Sequence, residues 1–328
     1  LPEIIDRARR HDDGRLAFVD FNPAENYEDL EIRRRSEVSA WVPIQRGCNY
    51  RCTYCIVPLT RGEEKNRNPE KILAEVRALA GEGITEVVLL GQTVNSYRHG
   101  EWDFPRLLRA VARVPGIRRV RFTSPHPHDF TAELVDVIAE EDAVCPHVHL
   151  PVQSGSDAVL RRMLRRYTRE HYLGLVAMLR ARVPEVALST DLIVGFPGET
   201  NEDFEATLSL VHEVEYDDAF TFRFSPREGT PATRMPDEWA VADEVAQERL
   251  QRLIAEVRSI SARRNASEVG VQREVLVEKR AKRGDLLQSR TPQNKIVLLD
   301  GPESWLGTYA TVVLTGTTGA TFTGFRVA

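Results

Sequence analysis

The chain of 328 residues contains no run near the roughly 20 apolar residues that span a bilayer, and its opening segment LPEIIDRARRHDDGR lacks the apolar stretch of a secretory signal. The expectation is therefore a cytoplasmic protein with no membrane partner. A basic excess is lacking too: 44 Lys and Arg stand against 49 Asp and Glu, a net charge of -5, so any nucleic-acid contact has to come from local patches. Cysteine is scarce. Of four in the chain, Cys48, Cys52 and Cys55 fall within eight positions, a clustering that suits metal ligands and not the disulfide framework of a small secreted domain.

What is present suffices for one large core and a smaller companion domain, with 42% hydrophobic residues. Residues 1–35 are charged (RARR, EDLEIRRR) without apolar periodicity and read as a linker or the remnant of a preceding domain. From residue 36 short β-branched runs alternate with helical spacing, giving six expected βα units with strands at 40–45, 86–91, 118–124, 147–152, 187–196 and 218–225. In the first of the helical stretches Pro69 marks the start, Ile72, Leu73, Val76, Leu79 and Ala80 form one face, and Gly81 and Gly83 mark the stop. Six parallel strands with outer helices make an incomplete α/β barrel over 36–266, its functional groups at the C-terminal strand ends. The stretch from Trp239 to Gly270 reads as one long helix closing this core. Beyond it, residues 267–328 alternate short strands with Gly- and Thr-rich turns, the pattern of a small all-β, OB-like barrel. This tail holds eight Lys and Arg against six Asp and Glu, and its basic run Lys279, Arg280, Lys282 and Arg283 is a candidate for RNA phosphates.

The segment GCNYRCTYC spaces its cysteines as C-x3-C-x2-C directly after the first strand. Three thiolates serve three irons of a 4Fe-4S cubane and leave the fourth iron open to a small molecule. A zinc site would need a fourth ligand, from Cys145 or a histidine, and usually shows paired C-x2-C motifs. Cys145, at the entrance to strand four, is expected to be a packed thiol. His126 and His128, between prolines after strand three, are expected to face substrate or to be structural.

The motif and its surroundings resemble the radical S-adenosylmethionine (SAM) methylthiotransferases, and among them the MiaB-type tRNA enzymes. The resemblance runs from about residue 36 to the end and is carried by GCNYRCTYCIVPLTRGEEKNR, VVLLGQTVNSY, RFTSPHP, HLPVQSGSDAVLRRMLRRYTREHY, STDLIVGFPGETNEDFEATLSLV, FTFRFSPREGTPA and the tail, which looks like a TRAM domain. IVPLTRGEE and GQTVNSY are closer to the tRNA type than to the enzymes acting on ribosomal protein or on threonylcarbamoyl-adenosine, which stay as alternatives; Leu59, Thr93 and Ser289 depart from the commonest residues.

The resemblance implies methylthiolation of isopentenylated adenosine beside the anticodon, a 4Fe-4S cluster on Cys48, Cys52 and Cys55, SAM as cofactor, and no catalytic side chain beyond the cluster ligands. It implies SAM contacts at Tyr54, at Gly91 and Gln92 after strand two, at Ser124, Gln153 and Ser154 after strands three and four, and at Arg166 and Arg227, with the GFPGET loop (195–200) beside them. It also implies tRNA as partner, an electron donor such as flavodoxin or ferredoxin, and a monomer. This family carries a second 4Fe-4S cluster on three more cysteines in an N-terminal domain. None precedes Cys48, so the expectation is that this stretch lacks that domain and cannot insert sulfur unaided. A noncatalytic RNA-binding module with structural zinc is the alternative of a different class.

Overall fold

The computed structural model describes residues 38–282 and 284–327; the expected linker over 1–35 and Arg283 lie outside the described residues. Six parallel strands form where the β-branched runs lie: β1 (Ser39–Pro43), β2 (Glu86–Leu90), β3 (Arg119–Phe122), β4 (His147–His149), β5 (Ala187–Val194) and β6 (Asp218–Arg223). They pair as β1-β2-β3 and β4-β5-β6. A parallel bridge between Val120 and Val144, just ahead of β4, ties the halves together. Among the described residues β1 and β6 each have one neighbour, so the barrel is open between them.

All six strands are shorter than their sequence runs, β3 and β4 the most, by three residues each. Ser124 (φ 56°) turns β3 into the left-handed region, where extended pairing cannot continue. After β4, Pro151 has no N–H for the ladder and Gln153 (φ 72°) turns away in the same manner.

The helices are α1 (Val57–Arg61), α2 (Pro69–Gly81), α3 (Phe104–Ala112), α4 (Ala132–Glu140), α5 (Asp157–Arg162), α6 (Arg169–Arg182), α7 (Asn201–Val214) and α8 (Asp243–Ser267). α2 begins because Asn68 accepts from the N–H groups of Glu70 and Lys71 and Pro69 occupies the first turn; Ile72, Leu73, Val76 and Leu79 are buried. α8 starts at Asp243 and not at Trp239, since the Trp239 carbonyl is taken by Gly198 N–H at 2.7 Å and holds that segment outside the helix.

The main core lies between the outer face of the strands and the helices. Val42, Val87, Leu89, Val120, Phe122, Val148, Leu188 and Leu192 fill it, each contributing roughly 1.5–3 kcal/mol by burial. The inner face, one residue out of phase, is polar on β2 to β5: Glu86, Arg119, Arg121, His147, His149, Ser189 and Asp191 share it.

The tail closes into a barrel, β7 (Gln272–Arg280), β8 (Leu287–Arg290), β9 (Ile296–Leu299), β10 (Tyr309–Thr317) and β11 (Thr321–Arg326), in the order β7-β8-β9-β11-β10. Val275, Val277, Leu287, Val297, Leu299, Val312, Leu314 and Phe322 make its core. Strand β8 is an addition to the sequence reading, because its LQSR has no β-branched residue to announce it. The expected loop placement of the basic run is corrected for its first two residues: Lys279 and Arg280 end β7 and Arg280 pairs with Glu303, while Lys282 lies in the turn.

The turn at 291–295 seats against the base of the open barrel. Arg121 donates to the carbonyls of Thr291 and Pro292 at 2.8 Å each and to Glu86 at 3.3 Å, and Arg119 donates to the Arg290 carbonyl at 2.8 Å. Lys295 Nζ meets Asp217 at 2.9 Å, Glu268 at 2.6 Å and the Asn265 side chain at 2.7 Å. Two buried arginines and a buried lysine are thereby compensated across one junction, which such desolvated charges require.

Candidate functional site

The three cysteines follow β1 in a loop held from several sides. Gly47 has φ 78°, and a Cβ there would lie 2.1 Å from the Glu63 carbonyl oxygen, so only glycine fits. Gly47 N–H donates to Gln92 Oε1 at 2.7 Å and Cys48 N–H to the Gly62 carbonyl at 3.2 Å. Thr53 N–H meets the Met163 carbonyl at 3.1 Å, and its hydroxyl donates to the Arg162 carbonyl at 2.9 Å.

The sulfurs face hydrogen-bond donors. Thr93 Oγ1 lies 3.2 Å from Cys48 Sγ, the backbone N–H groups of Tyr50 and Val57 are directed at the sulfurs of Cys48 and Cys55, and Arg165 Nη1 lies 3.5 Å from Cys52 Sγ. Burial pushes the thiols of Cys48 and Cys55 up, and these N–H and hydroxyl groups work against it by favouring thiolate. Burial also opposes charge on Arg165, but Tyr167, Tyr54 and Cys52 hold it protonated. Its Nε donates to the Tyr167 hydroxyl at 2.8 Å and Nη2 to the Pro151 carbonyl at 3.1 Å. Three sulfurs ringed by donors are the donor set of a thiolate-held cluster. Among the described residues no three His, Cys, Asp or Glu side chains converge as ligands of one metal ion would; a cubane spreads its thiolates over separate irons.

The residues expected around SAM divide into two groups. Tyr54 stands edge-on to Phe196 at 6.5 Å, in an apolar group with Val159, Met163 and Phe224 beside the cysteines. Ser124 and Gln153 occupy left-handed backbone at the ends of β3 and the β4 segment, conformations that non-glycine residues adopt at a cost. Arg227 is exposed on the loop after β6. The others are engaged within the protein. The space that demands glycine at 91 is filled by Gln45, whose Oε1 would sit 2.8 Å from a Cβ there; Gln92 clamps Gly47; Ser154 is fully buried against Thr207 of α7 at 3.3 Å. Arg166 lies over the Tyr50 ring at 5.7 Å.

Arg165, next to the expected Arg166, is the arginine that reaches the cysteines. Leu164 (φ 55°) ends α5 in a left-handed turn that rotates its successor inward, which helical spacing does not reveal. Thr93, in the sequence only a departure from the family's commonest residue, bonds Cys48. His126 stacks on Tyr50 (3.9 Å, 12°) and accepts His128 N–H at Nδ1; burial and Arg165 push it down to about 2, so the ring is neutral. Cys145 is buried at the foot of β4, with burial raising its thiol. The GFPGET loop is fixed by Glu199, which accepts Gly195 N–H at 3.0 Å and pairs with Arg249 at 2.7 Å.

Comparison with known proteins agrees with this geometry. Residues 42–211 match the Radical SAM superfamily. The chain is 45% identical to a tRNA-2-methylthio-N(6)-dimethylallyladenosine synthase of Pelotomaculum thermopropionicum over 99% of its length and 73% of the relative's. It is 48% identical to the enzyme of that name from Moorella thermoacetica, over 96% of the chain and 71% of the relative. Coproporphyrinogen III oxidase of Escherichia coli, a radical SAM enzyme, shares the fold at 15% identity and a TM-score of 0.52, over 89% of this chain and 72% of that one. The chain therefore belongs to the Radical SAM superfamily and, within it, to the family of tRNA-2-methylthio-N(6)-dimethylallyladenosine synthases.

Proposed function

We infer that the protein is a radical SAM methylthiotransferase that acts on tRNA and converts N6-dimethylallyladenosine to its 2-methylthio form. The observation that carries this is the cysteine triad in its cage of donors, on a chain with family membership over nearly its whole length.

Cys48, Cys52 and Cys55 would hold a 4Fe-4S cluster. When bound, the cluster offers SAM an open iron and supplies the electron that splits a carbon–sulfur bond of the cofactor. The remaining work falls to the chain. Arg165, Thr93 and the loop N–H groups orient and stabilise the thiolates. Tyr54 and Phe196 offer an aromatic wall suited to the adenine of SAM; Ser124, Gln153 and Arg227 are the polar groups left to hold its remainder, while Gly91, Gln92 and Ser154 support the loops and Arg166 covers the Tyr50 ring. Residues 36–266 form the catalytic core and 267–328 a TRAM-like RNA-binding domain, in which Lys279 and Lys282 are exposed toward phosphate and Arg280 is already paired. An electron donor of the flavodoxin or ferredoxin class, a monomeric state and a cytoplasmic location complete the reading. Among the described residues no helix is long and apolar enough to cross a membrane.

Mass spectrometry of tRNA from cells lacking the gene tests the assignment. The expected result is loss of the methylthio group with N6-dimethylallyladenosine left in place. Retention of that mark, with loss from threonylcarbamoyl-adenosine or ribosomal protein, would transfer the assignment to a sister activity.

A further inference from the structure

The open side of the barrel is lined by aromatic rings that stand exposed among the described residues. On β6 the alternation is unambiguous: Ala219 and Thr221 line a groove with Ile254, Val257 and Ser261 of α8, so Phe220 and Phe222 point the other way, into the barrel. They are 53% and 49% exposed. Their register partners on β5 are Asp191 and Ile193, which share that inner face. On the opposite free edge, Ala40 and Val42 of β1 are buried in the core, and Trp41 between them, opposite Val88, faces inward and is 58% exposed. Large apolar rings left open on a concave inner wall mark a ligand surface.

The chemistry along the β5–β6 wall is graded. At one end His149 is fixed by Ser189 (Nδ1 to Oγ, 3.0 Å) and Asp191 (Nε2 to Oδ1, 3.4 Å), and its ring stands edge-on to Phe220 at 5.7 Å. At the other end Ile193 and Phe224 join Phe196 and Tyr54 beside the cysteine loop. The wall thus runs from an anionic acceptor, past two open phenyl rings, to the cysteines. An acceptor of negative charge repels phosphate and suits an N–H donor; the rings suit a flat base with an apolar branch.

Resting on the function proposed above, we propose that Phe220 and Phe222 are specificity-determining residues that receive the dimethylallyl group of the target adenine, with Asp191 accepting the N–H that carries it and His149 positioning both Asp191 and Phe220. The gap between β1 and β6 admits a base projecting from a macromolecule, which a closed barrel would not.

The test uses the cluster-loaded protein and two anticodon stem-loop RNAs that differ only in carrying N6-dimethylallyladenosine or adenosine at the target position. The wild-type protein is expected to bind the prenylated RNA about tenfold more tightly, the range open to a small apolar group in a fitted pocket. The Phe220→Ala/Phe222→Ala protein is expected to bind both RNAs within about twofold of each other, at the affinity of wild type for the plain RNA. The conservative Phe222→Leu restores part of the preference. Equal melting temperature and iron content across the set separate this from a folding defect. A double variant that keeps the wild-type preference overturns the assignment, as does a wild type that shows none. Loss of the methylthio group from the tRNA of cells lacking the gene would in either case leave the proposed function standing and sink only the wall.

Discussion

Arg165 Nη1 lies 3.5 Å from Cys52 Sγ, and both side chains are buried. A guanidinium held by the Tyr167 hydroxyl and the Pro151 carbonyl is fixed in place, so it keeps a positive charge and an N–H donor beside the Cys52 sulfur. Arg165→Met is expected to lower cluster retention and SAM cleavage by about 10–100-fold, the usual cost of losing a group that supports a metal ligand. Arg165→Lys rescues little, since an ammonium cannot span the same three partners. Iron content after gel filtration and the rate of 5'-deoxyadenosine formation check this; a Met variant at wild-type levels would contradict it.

Replacing Cys48, Cys52 or Cys55 singly by Ala is expected to abolish iron binding. Cys145→Ala keeps the full iron content and costs about 1 kcal/mol of stability, because Cys145 is a small packed side chain at the foot of β4. Iron analysis and denaturant midpoints separate the two classes.

Gly47→Ala places a methyl group 2.1 Å from the Glu63 carbonyl oxygen in a backbone conformation that disfavours any side chain. We expect a loss of about 2–3 kcal/mol and a parallel loss of iron, since the residue it displaces is the neighbour of Cys48. By contrast Gly81→Ala, where a Cβ meets nothing within 4 Å at the end of α2, is expected to be neutral or stabilising. Melting curves on the two variants give the comparison.

Acid sensitivity should concentrate at the junction of the two barrels. Burial alone would raise the Asp217 carboxyl, but Lys295 and Arg264 outweigh it and hold it below the usual range. The unfolded chain then takes up the proton more readily, so stability falls as pH is lowered: the contribution is complete above the ordinary aspartate value of about 3.9 and is lost as pH drops through the native value. Asp217→Asn is expected to cost about 2 kcal/mol near neutral pH and to flatten the decline on the acid side. Denaturant midpoints near neutral pH and at about pH 3.5 measure both effects, and an unchanged acid slope in the variant would contradict the account.

The strands of the core were legible because runs such as Glu86–Leu90 are β-branched and buried on a helix-covered sheet, and the cysteine spacing announced its chemistry directly. Less legible were features set by tertiary turns. Leu164 in left-handed backbone makes Arg165 and not Arg166 the partner of Cys52; Gln92 and Ser154 are turned toward the protein by neighbours 45 and 53 residues away. β8 is illegible in the sequence because its pairing, not its composition, makes it a strand. The polar interior of the barrel and the turn at 291–295 that seats beneath it depend on which strands lie side by side, information that a local pattern does not carry.

The central claim is that Cys48, Cys52 and Cys55 hold a radical-generating cluster. Anaerobic reconstitution followed by iron and sulfide analysis, with SAM cleavage assayed under a low-potential reductant, tests it most directly. The account predicts about four irons and four sulfides per chain and reductive release of 5'-deoxyadenosine. A colourless protein holding one zinc, with SAM intact, would contradict it.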